Sequence, residues 1–125
     1  MLLDTNAIPA WAKGNTELWQ ALRPDRTWHL PAIALGAYRY GLLKSTRRVE
    51  LEAWLESVEA AGVVLAADAA TARHDAELRR EFDVLRGDVP DHDIWIGALA
   101  LQHDVAVVSK DAHFDKMPGV RRIGW

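Results

Sequence analysis

Three aspartates from remote parts of the chain, Asp4, Asp93 and Asp111, stand where side chains can meet to do chemistry. Asp4 follows the apolar run 1–3, and Asp111 follows the apolar run 105–108 beyond Ser109 and Lys110. Both fall just past the carboxyl ends of expected strands, on the edge of an open parallel sheet where ligands bind. Asp93 begins a long apolar helix and can point to the same edge. Two carboxylates ~4 Å apart repel by roughly 4 kcal/mol at an effective dielectric of 20, so a fold that gathers three needs a cation. An all-oxygen donor set suits Mg²⁺ or Mn²⁺. Such a centre can activate a water and neutralise the charge that develops in phosphodiester hydrolysis, with no covalent nucleophile. Each acid taken singly has another use: Asp4, Asp91, Asp93 and Asp111 all lie near expected helix starts, where a carboxylate caps free N–H groups.

His113, in Asp111-Ala112-His113-Phe114-Asp115, can ligate a metal, shuttle a proton or hydrogen-bond to its acidic neighbours. The last use is favoured, because Mg²⁺ prefers oxygen to imidazole. Asp115 is the better candidate for a fourth acid or for a place around the ion, and Ser109 and Asn6 are further candidates for such outer positions. No G-x-S-x-G elbow, H-E-x-x-H helix, Walker lysine loop or G-x-G-x-x-G turn occurs. The chain has no Cys, which excludes thiolate metal sites and cysteine nucleophiles.

The elements that must carry these residues alternate. Residues 1–3 read as a strand feeding one or two short helices over 7–22, broken at Gly14 and Asn15. A turn at Pro24 and Asp25 leads to a strand at 27–30, and Pro31 suits the first turn of a helix over 32–45. In 47–60, Leu51, Trp54, Leu55 and Val58 recur at i, i+3, i+4 and i+7, the mark of an amphipathic helix. Val63 to Leu65 is a β-branched run; Asp68 then caps a polar helix reaching about Arg86, ended by Gly87 and Pro90. The helix 91–103 is apolar nearly all round, as a buried helix would be, and strands follow at 105–108 and at the edge over 120–125. Short, almost wholly apolar strands alternating with helices predict a three-layer α/β/α domain around a parallel sheet.

At 125 residues the chain fits a single domain, 1–125. With 50% hydrophobic residues it is too apolar to be disordered. The early Asp4 and the lack of any apolar run near the ~18 residues of a membrane span predict neither signal peptide nor anchor, and a cytoplasmic location. Lys and Arg total 15 against 18 Asp and Glu, a net charge of −3, which argues against coating nucleic acid by bulk attraction but leaves room for local basic patches. Lys44, Arg47 and Arg48 cluster at a helix junction, and Arg73, Arg79, Arg80 and Arg86 punctuate another helix; each group is either a solvated face or a phosphate-holding patch. Of the six tryptophans, Trp54 and Trp95 are most simply core, while Trp11 is either core or an exposed anchor for a partner.

Four segments in order, Leu2-Leu3-Asp4-Thr5-Asn6, Leu35-Gly36-Ala37-Tyr38-Arg39-Tyr40-Gly41, Asp93-Ile94-Trp95-Ile96-Gly97-Ala98 and Val108-Ser109-Lys110-Asp111-Ala112-His113-Phe114-Asp115, resemble PIN-domain ribonucleases of the VapC toxin type. The closing Arg122-Ile123-Gly124-Trp125 fits as well, so the resemblance spans the chain. It implies a small PIN-like α/β/α domain, Mg²⁺- or Mn²⁺-dependent endoribonuclease activity on tRNA, rRNA or mRNA, a VapB-type antitoxin partner covering the active site, and a toxin homodimer within the complex. By position, Asp4, Asp93 and Asp111 match three of the family's metal-binding acids, and Asp115 lies where a further acid often occurs.

One departure stands out: where the family's central motif reads Leu-Gly-Glu before an aromatic residue, this chain has Ala37. The chain is either a degenerate member or one whose glutamate was replaced to make a toxic nuclease tolerable. Losing one of four acids predicts weaker metal binding and much reduced turnover, while folding survives because Ala is the best helix former. Two other readings remain. One is a receiver-like Mg²⁺-binding signalling domain, in which Lys110 would be the lysine after a late strand, although that class carries paired acids after its first strand and Asp4 stands alone. The other is a catalytically dead module that binds an antitoxin.

Overall fold

The computed structural model describes residues 1–22, 27–85 and 89–125. Five short strands, β1 (Leu2–Leu3), β2 (His29–Pro31), β3 (Val63–Leu65), β4 (Val107–Val108) and β5 (Arg122–Ile123), form one sheet in the order β3-β2-β1-β4-β5. Every pairing is parallel, with Leu2 opposite both His29 and Val107, and Leu3 opposite Val108. Leu2, Leu3, Leu30, Val107 and Val108 are fully buried, as expected of strands covered on both faces. At the β3 edge, Val63 and Val64 remain 44% and 45% exposed.

The helices are α1 (Ala7–Ala12), α2 (Thr16–Leu22), α3 (Ala32–Leu42), α4 (Arg48–Ala61), α5 (Ala69–Leu85) and α6 (Asp91–His103), with a 3₁₀ turn at Ala112–Lys116. From β1 the chain builds outward through β2 to β3, then crosses back through α5 and α6 to pair β4 on the other side of β1. Right-handed crossovers running in opposite directions place their helices on opposite faces, giving three α/β/α layers. The reversal of strand order falls between β1 and β4, the crevice where such sheets bind ligands. Among the described residues, no helix is long and apolar enough to cross a membrane.

Local chemistry sets the boundaries. Gly14, at φ +72°, turns the chain between α1 and α2, and the Asn15 carboxamide oxygen accepts from the Leu18 N–H to cap α2. Asp68 caps α5 through the Thr71 N–H. Pro31 does not enter the helix: its extended backbone ends β2 and stands at the N-cap of α3. Helix α3 stops at Leu42, three residues early, where the N–H groups of Lys44 and Ser45 turn back to the carbonyls of Gly41 and Leu42. β4 is shorter than the run 105–108 because the Val105 N–H closes α6 on the Ala100 carbonyl, with Asp104 at φ 51°. The expected turn at Pro24 and Asp25, and the helix end at Arg86 and Gly87, lie outside the described residues.

Trp11 is core rather than an exposed anchor. It is only 6% exposed and meets Trp19, Trp28 and Trp54 edge-to-face at ring-centroid distances of 5.9, 5.0 and 5.8 Å. Trp54 is half-buried and packs against the core. Trp95 was expected in the core but is only half-buried, while its neighbours Ile94 and Ile96 point inward. On the other side of α6, Gly97 gives the Met117 and Leu78 side chains room that a Cβ would occupy.

Candidate metal centre

β1 delivers Asp4 to the switch point. Its carboxylate is 2% exposed; Oδ1 accepts from the N–H groups of Asn6 (3.1 Å) and Ala7 (2.8 Å), and Oδ2 accepts from the Ser109 hydroxyl. The capping use of Asp4 is therefore real, and it fixes the side chain rather than diverting it. Burial pushes the Asp4 carboxyl above its ordinary value; the bonds from Ser109, Ala7 and Asn6 pull against this, and the Asp93 charge adds to the rise. Ser109, fully buried after β4, also accepts from the Asp111 N–H at 2.8 Å. One hydroxyl thus ties the Asp4 carboxylate to the backbone that presents Asp111.

Asp93 and Asp111 converge on His113. The imidazole Nδ1 lies 3.2 Å from Asp93 Oδ2 and 3.0 Å from Asp111 Oδ1, while Asp111 Oδ1 also caps the 3₁₀ turn by accepting from the His113 N–H at 2.9 Å. One ligand atom from each of the three side chains lies within 4.8 Å of the others. Burial raises the Asp93 carboxyl above its ordinary value, the His113 hydrogen bond opposes this, and the Asp111 charge adds to the rise. His113, weighed from sequence mainly as a hydrogen-bonding partner, holds the position between two carboxylates that a cation would favour. The carboxylate oxygens suit a hard divalent ion, in a crevice where the acids disfavour one another's charge.

Ala37 lies half-buried on α3 and faces a cavity of about 420 Å³ that it shares with Thr5, the residue after Asp4. The Thr5 hydroxyl is buried without a hydrogen-bond partner. A longer acidic side chain at position 37 would enter the cavity that Thr5 also lines. The Asp-Thr-Asn turn was legible in the sequence; that its hydroxyl lacks an acceptor was not.

Asp115 does not join the cluster. Its two oxygens accept from Arg122 Nε and Nη2 at 2.9 and 2.8 Å, in an exposed pair, while Arg122 Nη1 donates to the Ser109 carbonyl. Asp115 as a fourth acid is thus corrected to the partner of an arginine that braces the Ser109 turn. Asn6 is exposed and contributes its backbone N–H to Asp4. The basic clusters are neutralised in part: Arg47 pairs with Glu50, Arg48 with Glu52, and Arg79 with Asp75 and Asp91, whereas Lys44, Arg73 and Arg80 pair with no acid among the described residues; Arg86 lies outside them.

Residues 1–120 match the family model described as PIN domain. Ribonuclease VapC4 of Mycobacterium tuberculosis is 29% identical over 110 residues, covering 80% of this chain and 82% of that protein. Among solved structures, the VapBC2 complex of Rickettsia felis bound to a promoter DNA fragment aligns with TM-score 0.88 at 20% identity, over 99% of this chain and 97% of that one. VapBC-5 of M. tuberculosis aligns with TM-score 0.75 at 28% identity, over 98% and 94%. The receiver-like reading is overturned by these matches. With the family model spanning nearly all of the sequence and a five-stranded parallel sheet beneath the cluster of Asp93, Asp111 and His113, the chain belongs to the PIN domain family.

Proposed function

We propose that this chain is a VapC-type endoribonuclease toxin whose divalent centre is held by Asp4, Asp93 and Asp111 and whose turnover is impaired by Ala37. The observation that carries the reading is the convergence of Asp93, Asp111 and His113 ligand atoms within 4.8 Å, beside a buried Asp4 that feels the Asp93 charge. A bound Mg²⁺ or Mn²⁺ supplies an activated water and neutralises charge on the phosphodiester. The chain's own residues do the rest. Ser109 and two backbone N–H groups lock Asp4, so its position costs no reordering when substrate arrives. His113 keeps the Asp93 and Asp111 carboxylates facing one another. The alanine at 37 removes one anionic donor and leaves the Thr5 hydroxyl without an acceptor.

The similarity to Ribonuclease VapC4 supports RNA as the substrate class, and the structural likeness to VapBC complexes supports a VapB-type antitoxin as the partner of a cytoplasmic toxin dimer. Ala37→Glu is the decisive variant. It is expected to raise Mg²⁺-dependent cleavage of RNA at least about tenfold, equivalent to ~1.4 kcal/mol of transition-state stabilisation, and to arrest growth on expression. A variant as inert as the parent would instead favour the second reading, a module that only binds antitoxin, for which Ala37 itself is the motivating observation.

A further inference from the structure

A second groove, of about 480 Å³, has walls that include Asn6, Lys13, Asn15, Lys110 and Trp125. It is built on the turns that carry the acids: the Asn6 N–H donates to Asp4 Oδ1 at 3.1 Å, and Lys110 stands between Ser109, which bonds Asp4, and Asp111. Its volume is within the range of about 300–1,000 Å³ typical of ligand sites.

Two cations without an acidic partner stand at this groove, next to the turns that carry the acids. Among the described residues, Arg39, Arg47, Arg48, Arg79, Arg121 and Arg122 each pair with a carboxylate. Lys13 and Lys110 are exposed, and neither pairs with an acid. The Lys110 ammonium lies 4.4 Å from the Trp125 ring centroid, held at the groove by a cation–π contact. Lys44, Lys116, Arg73 and Arg80 also lack an acidic partner among the described residues, but Lys13 and Lys110 are the two that line this groove, together with an indole and two carboxamides beside the acid cluster. Ammonium groups neutralise phosphates, indoles stack bases, and carboxamides reach base edges; together they suit single-stranded RNA.

We propose that this groove is the subsite for the nucleotide adjoining the cleaved phosphodiester, with Lys13 and Lys110 holding phosphates and Trp125 stacking the base. The proposal rests on the ribonuclease reading above. A base arriving on the indole displaces the Lys110 ammonium from the ring and frees it for the phosphate, so the cation–π contact keeps the lysine near the groove until substrate enters.

The test is binding rather than turnover: fluorescence anisotropy of a fluorescein-labelled, mixed-sequence single-stranded RNA with the full chain in Mg²⁺, over a series of salt concentrations, with RNA integrity checked on gels. Lys13→Ala and Lys110→Ala, both at exposed positions, are each expected to weaken binding and to reduce the slope of log K against log salt by about 0.7. Trp125→Leu should weaken binding about tenfold with the slope unchanged. Arg48→Ala, removing a cation already paired with Glu52, is the control and should bind as the parent does. Lysine variants that keep the control's affinity and slope overturn the subsite. If Ala37→Glu nevertheless cleaves RNA, the ribonuclease reading survives that result; a parent chain that binds no RNA, together with an inert Ala37→Glu, overturns both.

Discussion

At the scale of single residues, the placement of Asp4 after a strand and of Asp93 at a helix start was legible because each borders an apolar run whose direction is forced by burial. Asp115 was not, since its alternatives differ only in where a short side chain turns, and Arg122 offers it two charge-assisted bonds. Ser109 has the larger consequence. Its hydroxyl is fully buried between the Asp4 carboxylate and the Asp111 N–H, so Ser109→Ala leaves a buried carboxylate oxygen and a backbone donor short of a partner. The expected cost is about 1–3 kcal/mol in urea denaturation, with weakened divalent-ion affinity in the same variant. A variant with unchanged stability and metal affinity would show that the hydroxyl merely fills space.

At the scale of elements, caps, breakers and periodicity together located the six α-helices, whereas the 3₁₀ turn at Ala112–Lys116 was not anticipated and the ends depended on local hydrogen bonds, as at Leu42 and Val107. The start of α5 is one such end. Asp68 Oδ1 accepts from the Thr71 N–H and from Gln102 Nε2, and these bonds, the Thr71 backbone foremost, hold its carboxyl below the ordinary value of 3.8. Because the folded value is depressed, the unfolded chain takes up the proton first. The stabilisation is complete above the ordinary value and is lost as pH falls through and below it. Asp68→Asn should therefore lower Tm at neutral pH and flatten the decline of Tm on acidification between about pH 5 and pH 2, read by thermal melts. The tryptophan cluster joins α1, α2 and α4 to the chain before β2 through Trp11, and Trp11→Ala should cost about 3–5 kcal/mol in the same denaturation assay. A loss under 1 kcal/mol would return Trp11 to the role of a surface anchor.

At the scale of the whole molecule, the Asp4 carboxylate meets the Ser109 hydroxyl because β1 and β4 are neighbours although more than a hundred residues separate Leu2 from Val107. Ion binding to the folded chain alone must raise its stability, by roughly 2.7 kcal/mol at about a hundred times Kd. Mg²⁺ or Mn²⁺ should thus raise Tm, chelation should reverse the rise, and Asp93→Asn should abolish it; a rise that persists in Asp93→Asn would place the ion elsewhere. The amino-acid sequence by itself determined the alternation of strands and helices and the acids at strand ends, because burial periodicity and residue chemistry act over a few neighbours. Tertiary structure alone decided that His113 sits between Asp93 and Asp111, that Asp115 goes to Arg122, and that Lys13 and Lys110 line one groove. Those outcomes are competitions among several side chains for the same partners, and only the packing that brings α6, the 3₁₀ turn and β5 together selects the winner.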